Sequence, residues 1–359
     1  MPAAPQLDIL ALEPFFGGVR RDMLETLVRC SRHRWTVLKL PPRRIERRLS
    51  VAANWFAEQL TRHWVGRVDL LFTSEAMNLA SLFRLMPQLA NKPSVVYFHE
   101  NQLPDIRTNT DSPLDLVNLN TANAATEIWF NSDWHRRTFL QRAKALVERH
   151  PEINAQRPLP QLKRKASVVP PAIDMSEVTQ ALHSGIERDG TALFIETRDA
   201  EVGLLNKALA MLRARGEEFR LITVGPVEGL SNDFPRQTLG ESDNAAHARG
   251  LCESGVIVST KPDAASDFLV VRGLAAGCRP ILPASGFYPE LLPPTLQSSA
   301  LYQFAPHSLA DQLQQAITPF QTATETHELK PILAPFDPAS ACKTMDERFE
   351  ELVWVRAVD

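Results

Sequence analysis

Short apolar runs rich in β-branched and aromatic residues recur along the chain, each leading through a polar or glycine-bearing turn into a stretch of helical spacing. This alternation is the strongest constraint on the fold, because strands joined by helices lie parallel in a sheet covered on its faces. Strands are expected at Leu7 to Leu12, Trp35 to Leu40, Val68 to Thr73, the run from Val95, Glu127 to Phe130, Ala166 to Val169, Ala192 to Ile195, Arg220 to Val224, Val256 to Ser259 and Pro280 to Leu282. Between them the pattern predicts helices from Val19, over Leu114 to Ala125, Asp133 to Glu148, Val202 to Arg215, Asn244 to Cys252 and Phe268 to Ala276. A chain of 359 residues with 44% hydrophobic content exceeds one ordinary core, so two α/β domains are expected. Their expected bounds are residues 1–175 and 176–335, with residues 336–359 forming an amphipathic helix that packs back on the body.

Val95 to Gln102 is the stretch that points to a site. Its apolar run ends abruptly in His99, Glu100, Asn101 and Gln102. In an open α/β sheet the carboxyl ends of the strands are where ligands bind. His99 can donate, accept or carry a proton near neutral pH, and Glu100 can act as a base or hold a hydroxyl. Two other strands end alike, one entering Ser74 to Asn78 and one entering Asn131 and Ser132. Capping alone accounts for Ser132 before its helix, but not for the repetition. The first strand runs through Glu13-Pro-Phe-Phe into Gly17 and Gly18, where backbone amides at a helix start can meet an anion or a hydroxyl. The adjacent glycines lack the Gly-x-Gly-x-x-Gly spacing, which disfavours a dinucleotide; a plain tight turn is the alternative.

Net charge is −3, so any contact with nucleic acid must come from a local patch. From Arg29 to Arg48 there are eight Lys and Arg residues and one acid, followed by Trp55 and Phe56. Basic groups interleaved with aromatics can neutralise phosphates and stack bases, as single-stranded or loop RNA requires, with Arg43, Arg44, Arg47 and Arg48 as the candidates; a solvated basic loop is the other reading. Cys30, Cys252, Cys278 and Cys342 are scattered, without metal-ligand spacing, and read as reduced thiols in a cytoplasmic protein. No apolar run reaches the length of a membrane span, so no membrane partner is expected.

Taken together, Glu13-Pro-Phe-Phe-Gly-Gly, Tyr97-Phe-His-Glu-Asn-Gln-Leu and Phe130-Asn-Ser resemble the N-terminal half of the tRNA-queuosine α-mannosyltransferase family. The later segments from Ala276 to Pro283 and from Gly286 to Leu291 resemble it more faintly. The resemblance implies a GT-B fold of two Rossmann-like domains facing across a cleft, retention of configuration, no cofactor and no metal. It also implies GDP-mannose as the nucleotide-sugar donor and queuosine in a tRNA anticodon loop as acceptor. On that basis His99 and Glu100 are the catalytic candidates. The substrate-binding candidates are Gly17, Gly18, Asn101, Gln102, Asn131, Ser132, Arg198, Tyr288 and Glu290. The diphosphate goes to the amides near Gly17 and Gly18, with Arg198 as its cationic partner.

The family it resembles is of the retaining, family-4 type, whose members usually carry two glutamates separated by seven residues for the donor sugar and ribose, and the chain departs from that pattern. Arg272 stands at the place of the second, with Asp263 or Asp267 as the candidate for the first. An Arg in place of a carboxylate cannot accept a ribose hydroxyl. Three readings follow: a tRNA sugar transferase, a GT-B transferase with another acceptor, or a degenerate GT-B domain that binds RNA or a protein partner.

Overall fold

The computed structural model describes residues 6–101, 103, 115–150, 159–196, 200–317 and 326–358. The chain forms two units, Met1–Ile173 together with Pro338–Asp359, and Asp174–Asp337. Each is built on a six-stranded sheet.

In the first unit the strands are β1 (Asp8–Glu13), β2 (Arg34–Lys39), β3 (Leu70–Ser74), β4 (Ser94–Phe98), β5 (Glu127–Phe130) and β6 (Ala166–Val168). Their spatial order is β2-β1-β3-β4-β5-β6, and all pairs are parallel. β3 and β4 are buried along their whole length, as strands covered on both faces must be. The chain leaves β1 for β2 on one side and then crosses to β3 on the other. That reversal is a topological switch point, where the loops after β1 and β3 diverge and leave a crevice.

The helix Ile45–Arg62 was not expected, because its charge was read before its period. Leu49, Ala52, Ala53, Phe56, Ala57 and Leu60 are buried at helical spacing, and each large apolar side chain among them contributes about 1.5–3 kcal/mol through burial. Phe56 is fully buried, edge-on to Trp55 with centroids 5.1 Å apart. It belongs to the core and is unavailable to stack a base, a correction to its reading as part of an RNA surface.

The helix Pro338–Val358 belongs to the first unit although it comes last in sequence. Phe349, fully buried, stacks on Trp129 at 5.1 Å and meets Trp35 and Phe72 edge-on at 5.8 and 6.0 Å. Polar contacts fix its register. Asp346 accepts from Ser31 Oγ at 2.6 Å and from the Arg32 amide at 2.9 Å, and Glu350 accepts from Arg32 Nε at 2.8 Å.

The second unit comprises β7 (Asp189–Glu196), β8 (Arg220–Val224), β9 (Arg236–Leu239), β10 (Ser254–Val258), β11 (Arg279–Pro283) and β12 (Leu301–Tyr302). Their order is β12-β11-β10-β7-β8-β9, again all parallel, with the reversal between β7 and β10. This is the dinucleotide-fold order, and the first unit has the flavodoxin-like order. β9 was not foreseen: three of its four residues are exposed, so an edge strand of this kind leaves no apolar run to read. Among the described residues no helix is long and apolar enough to cross a membrane.

Candidate active site

The switch point of the first unit concentrates buried charge. Glu13, at the end of β1, accepts from the Phe15 amide at 2.8 Å and from Ser74 Oγ at 2.9 Å. Glu75, immediately after β3, is completely buried and ion-paired with Arg20, itself 3% exposed. Arg20 lies on the helix Gly18–Cys30, one turn before Met23 and Leu24 on its buried face. From there it also reaches Glu100 Oε2 at 3.2 Å. The Glu75 carboxylate accepts from two successive amides, those of His99 and Glu100, each at 3.1 Å.

His99 is thus placed at the carboxyl end of β4, 5% exposed, with its ring 4.8 Å from that of Tyr97. Asn131 Nδ2 donates to the His99 carbonyl at 3.2 Å, so the His99 peptide is held from both sides. His99 Nδ1 is buried and has no partner among the described residues. Burial, Arg20 and His135 hold the His99 pKa well below the ordinary histidine range, so the ring is neutral at pH 7. Burial likewise brings His135 down to about 3. Glu13 is displaced the other way: burial pushes its carboxyl up to about 7, with Arg20 pulling against the rise. Burial also opposes the Arg20 charge, but Glu75, Glu100 and Glu13 outweigh it and keep the guanidinium protonated.

The expected residues fare differently. His99, Glu100 and Asn131 converge on this cluster. Asn101 turns its Oδ1 to the Leu103 amide at 3.0 Å, and its Nδ2 has no partner among the described residues. Ser132 caps the helix Asp133–Arg149 through the His135 amide at 3.2 Å, and with 3% exposure it braces that helix instead of meeting a substrate. Gly17 is a further correction. Its amide already donates to the Phe15 carbonyl at 2.9 Å. A Cβ there would lie 2.6 Å from Pro42 Cβ, so close packing requires this glycine. Gly18, at φ 53°, opens the helix in the left-handed region that suits glycine. Gln102 and Arg198 lie outside the described residues.

In the second unit Tyr288 is fully buried, its hydroxyl 2.7 Å from Ser259 Oγ and donating to Asp267 Oδ2 at 3.0 Å. It braces the sheet edge and offers no surface to a donor, contrary to the expectation. Asp267 also caps the helix Phe268–Ala276 through the Val270 amide at 3.1 Å, so both its oxygens are used internally. Arg272 Nε donates to the Asp174 carbonyl at 3.1 Å. Glu290 is exposed.

Glu13, Arg20 and Glu75 were not among the expected site residues. Arg20 carried a readable signal, a charge on the apolar stripe of its helix. Glu75 sat in a polar strand end noted only as a pattern. Of the basic candidates, Arg43, Arg44 and Arg47 are exposed, and Arg48 is half-buried with Nη2 donating to the Pro41 carbonyl at 3.1 Å. Val51 and Trp55, 49% and 36% exposed, continue the face that begins with Arg47 along the helix Ile45–Arg62. No group of His, Cys, Asp and Glu among the described residues is arranged to hold a metal ion.

The chain is similar to known proteins in sequence and in fold. Residues 8–173 match the model of the tRNA-queuosine α-mannosyltransferase N-terminal domain. The tRNA-queuosine α-mannosyltransferase of Drosophila melanogaster is 24% identical, with 79% of this chain and 81% of that protein covered. Among solved structures, Anabaena HepE in complex with UDP and glucose superposes with a TM-score of 0.68 at 15% identity, covering 96% of this chain and all of that one. Sucrose-phosphate synthase from Thermosynechococcus elongatus gives 0.65 at 14% identity, covering 97% of this chain and 100% of that one. These structural matches are glycosyltransferases of one α/β architecture, which fixes the fold as GT-B. The chain thus has the GT-B fold, and over residues 8–173 it matches the N-terminal domain of the tRNA-queuosine α-mannosyltransferase family.

Proposed function

We propose that this glycosyltransferase moves mannose from GDP-mannose to queuosine in a tRNA anticodon loop, with retention. One observation carries the reading: at the β1–β3 switch point a neutral His99 and a tethered Glu100 are presented at the strand ends by buried charge. In a retaining transfer positive charge grows at the anomeric carbon while the nucleoside diphosphate departs. A neutral imidazole can hold donor-sugar hydroxyls without adding positive charge beside that centre. Glu100 and Asn101 are assigned to the acceptor hydroxyls, and amides from Gly18 onward to the diphosphate. Arg43, Arg44 and Arg47 give the RNA phosphates an exposed cationic edge, with Trp55 available for stacking.

A second reading has its own observation. Arg272 stands where the second family-4 donor carboxylate is expected, with Asp263 or Asp267 for the first, and Asp267 is occupied by Tyr288 and its helix. A degenerate domain that binds RNA or a protein partner, or a transferase with a different acceptor, fits that donor segment. Incubation with GDP-mannose and queuosine-containing tRNA, read by mass spectrometry of the nucleoside, separates the readings. Mannosylation by the parent, falling about a hundredfold or more in His99→Ala at nearly unchanged melting temperature, is expected for the first. Absence of transfer, together with no thermal shift from any GDP, UDP or ADP sugar at millimolar concentration, would select the non-catalytic reading.

A further inference from the structure

We propose that Glu75, together with Arg20, is the positioning element of this site, setting the backbone of His99 and Glu100 and tethering the Glu100 side chain. Its bearing on turnover rests on the transferase reading above. A chain leaving a strand has no ladder to fix its next peptides, so some other acceptor must hold the freed amides. Here two consecutive amides converge on one carboxylate at 3.1 Å each, an anion nest closed by a side chain instead of a ligand. Glu75 is itself anchored, since Asn118 Nδ2 donates to its carbonyl at 3.0 Å. Asn131 holds the other face of the His99 peptide at 3.2 Å. Burying a carboxylate and a guanidinium is costly, and hydrophobic pairs of similar size often serve stability as well or better. The pair is therefore not explained by packing. What it adds is geometry: Arg20 joins the wholly buried Glu75 to Glu100, whose side chain is 55% exposed.

Asp at position 75 would be a methylene too short to span both amides. Gln would turn an N–H donor toward donors. The informative set is therefore Glu75→Gln alone and Glu75→Gln combined with Arg20→Gln, since the double variant removes the buried charge that has lost its wholly buried partner and threatens folding. In Glu75→Gln, hydrogen exchange at the His99 and Glu100 amides should quicken by about tenfold or more as their acceptor weakens. Turnover should fall on the order of tenfold to a hundredfold, with KM little changed. The double variant should regain melting temperature but not turnover, because the Arg20 guanidinium no longer holds the Glu100 side chain. Unchanged exchange in Glu75→Gln, or turnover returning in step with melting temperature, would overturn the proposal. A parent without transfer would count against the transferase reading alone, and the exchange rates then decide the clamp.

Discussion

The two sheets treat polar groups at their carboxyl edges in opposite ways. The first buries ionisable side chains, Glu13, Arg20 and Glu75, around its switch point. Among the described residues the second buries one carboxylate, Asp267, whose two oxygens take the Tyr288 hydroxyl and a helix-capping amide, and otherwise ties together hydroxyls: Ser259 with Tyr288, Tyr302 donating to the Ser259 carbonyl at 3.0 Å, and Thr260 accepting from the Glu201 amide at 3.0 Å. A buried hydroxyl needs one partner, whereas a buried charge needs several and still leaves a desolvation cost. At the second edge the lone carboxylate serves a cap and a tyrosine, whereas the first gathers three ionisable groups, and the proposed function rests on that difference.

The largest effect should come from the helix that closes the first unit. Phe349→Ala leaves a cavity among Trp35, Phe72 and Trp129 and should cost about 3–5 kcal/mol. Calorimetry should show the loss in the unfolding of the first unit only; an equal loss in both would show that the units unfold as one.

The next effect concerns pH. The Glu13 carboxyl rises from 4.5 to about 7 on folding, which at about 1.4 kcal/mol per unit amounts to about 3 kcal/mol. The raised value means that the folded state favours the protonated form. The stability this gives is complete below pH 4.5, declines through the window up to about 7, and is absent above it. Between pH 8 and pH 5 the lowered pKa values of His99 and His135 act in the opposite direction in parent and variant alike, so Glu13→Gln should lose stability at pH 5 relative to pH 8 compared with the parent, read from denaturant midpoints. An identical pH dependence in parent and variant would assign the slope to other groups.

Tyr288→Phe should cost about 1–3 kcal/mol, because Asp267 and Ser259 lose a buried partner, with turnover nearly unchanged. A loss of turnover without a loss of stability would bring Tyr288 back to the donor. The smallest effect belongs to the surface. Replacing Arg43, Arg44 and Arg47 by Gln should flatten the salt dependence of tRNA binding by about 0.7–0.9 slope unit for each phosphate no longer neutralised. An unchanged slope would remove this face as the RNA-binding edge.

Local pattern made much of the molecule legible. Glu127–Phe130, Arg220–Val224 and Phe268–Ala276 fall where period and flanking residues put them, and the place of His99 at a strand end was legible because four polar residues close an apolar run. The helix Ile45–Arg62 was missed because charge drew attention from its buried stripe, and Arg20 was missed although it broke such a stripe. Gly17 and Tyr288 looked like ligand contacts because glycine and tyrosine serve both packing and binding, and sequence does not distinguish the two.

The sequence by itself determined that parallel strands alternate with helices and that polar groups stand at their carboxyl ends, since hydrophobic period and strand termini are local properties. Which strands become neighbours was decided only by the tertiary structure. Arg20 meets Glu75 across 55 residues, and Asp346 meets Ser31 across 315. Such pairs exist because β3 lies beside β1, on the side away from β2, and because the last helix returns to the first unit. Strand order follows from how whole helical faces pack on the sheet, a sum over contacts distant in sequence that no short stretch carries.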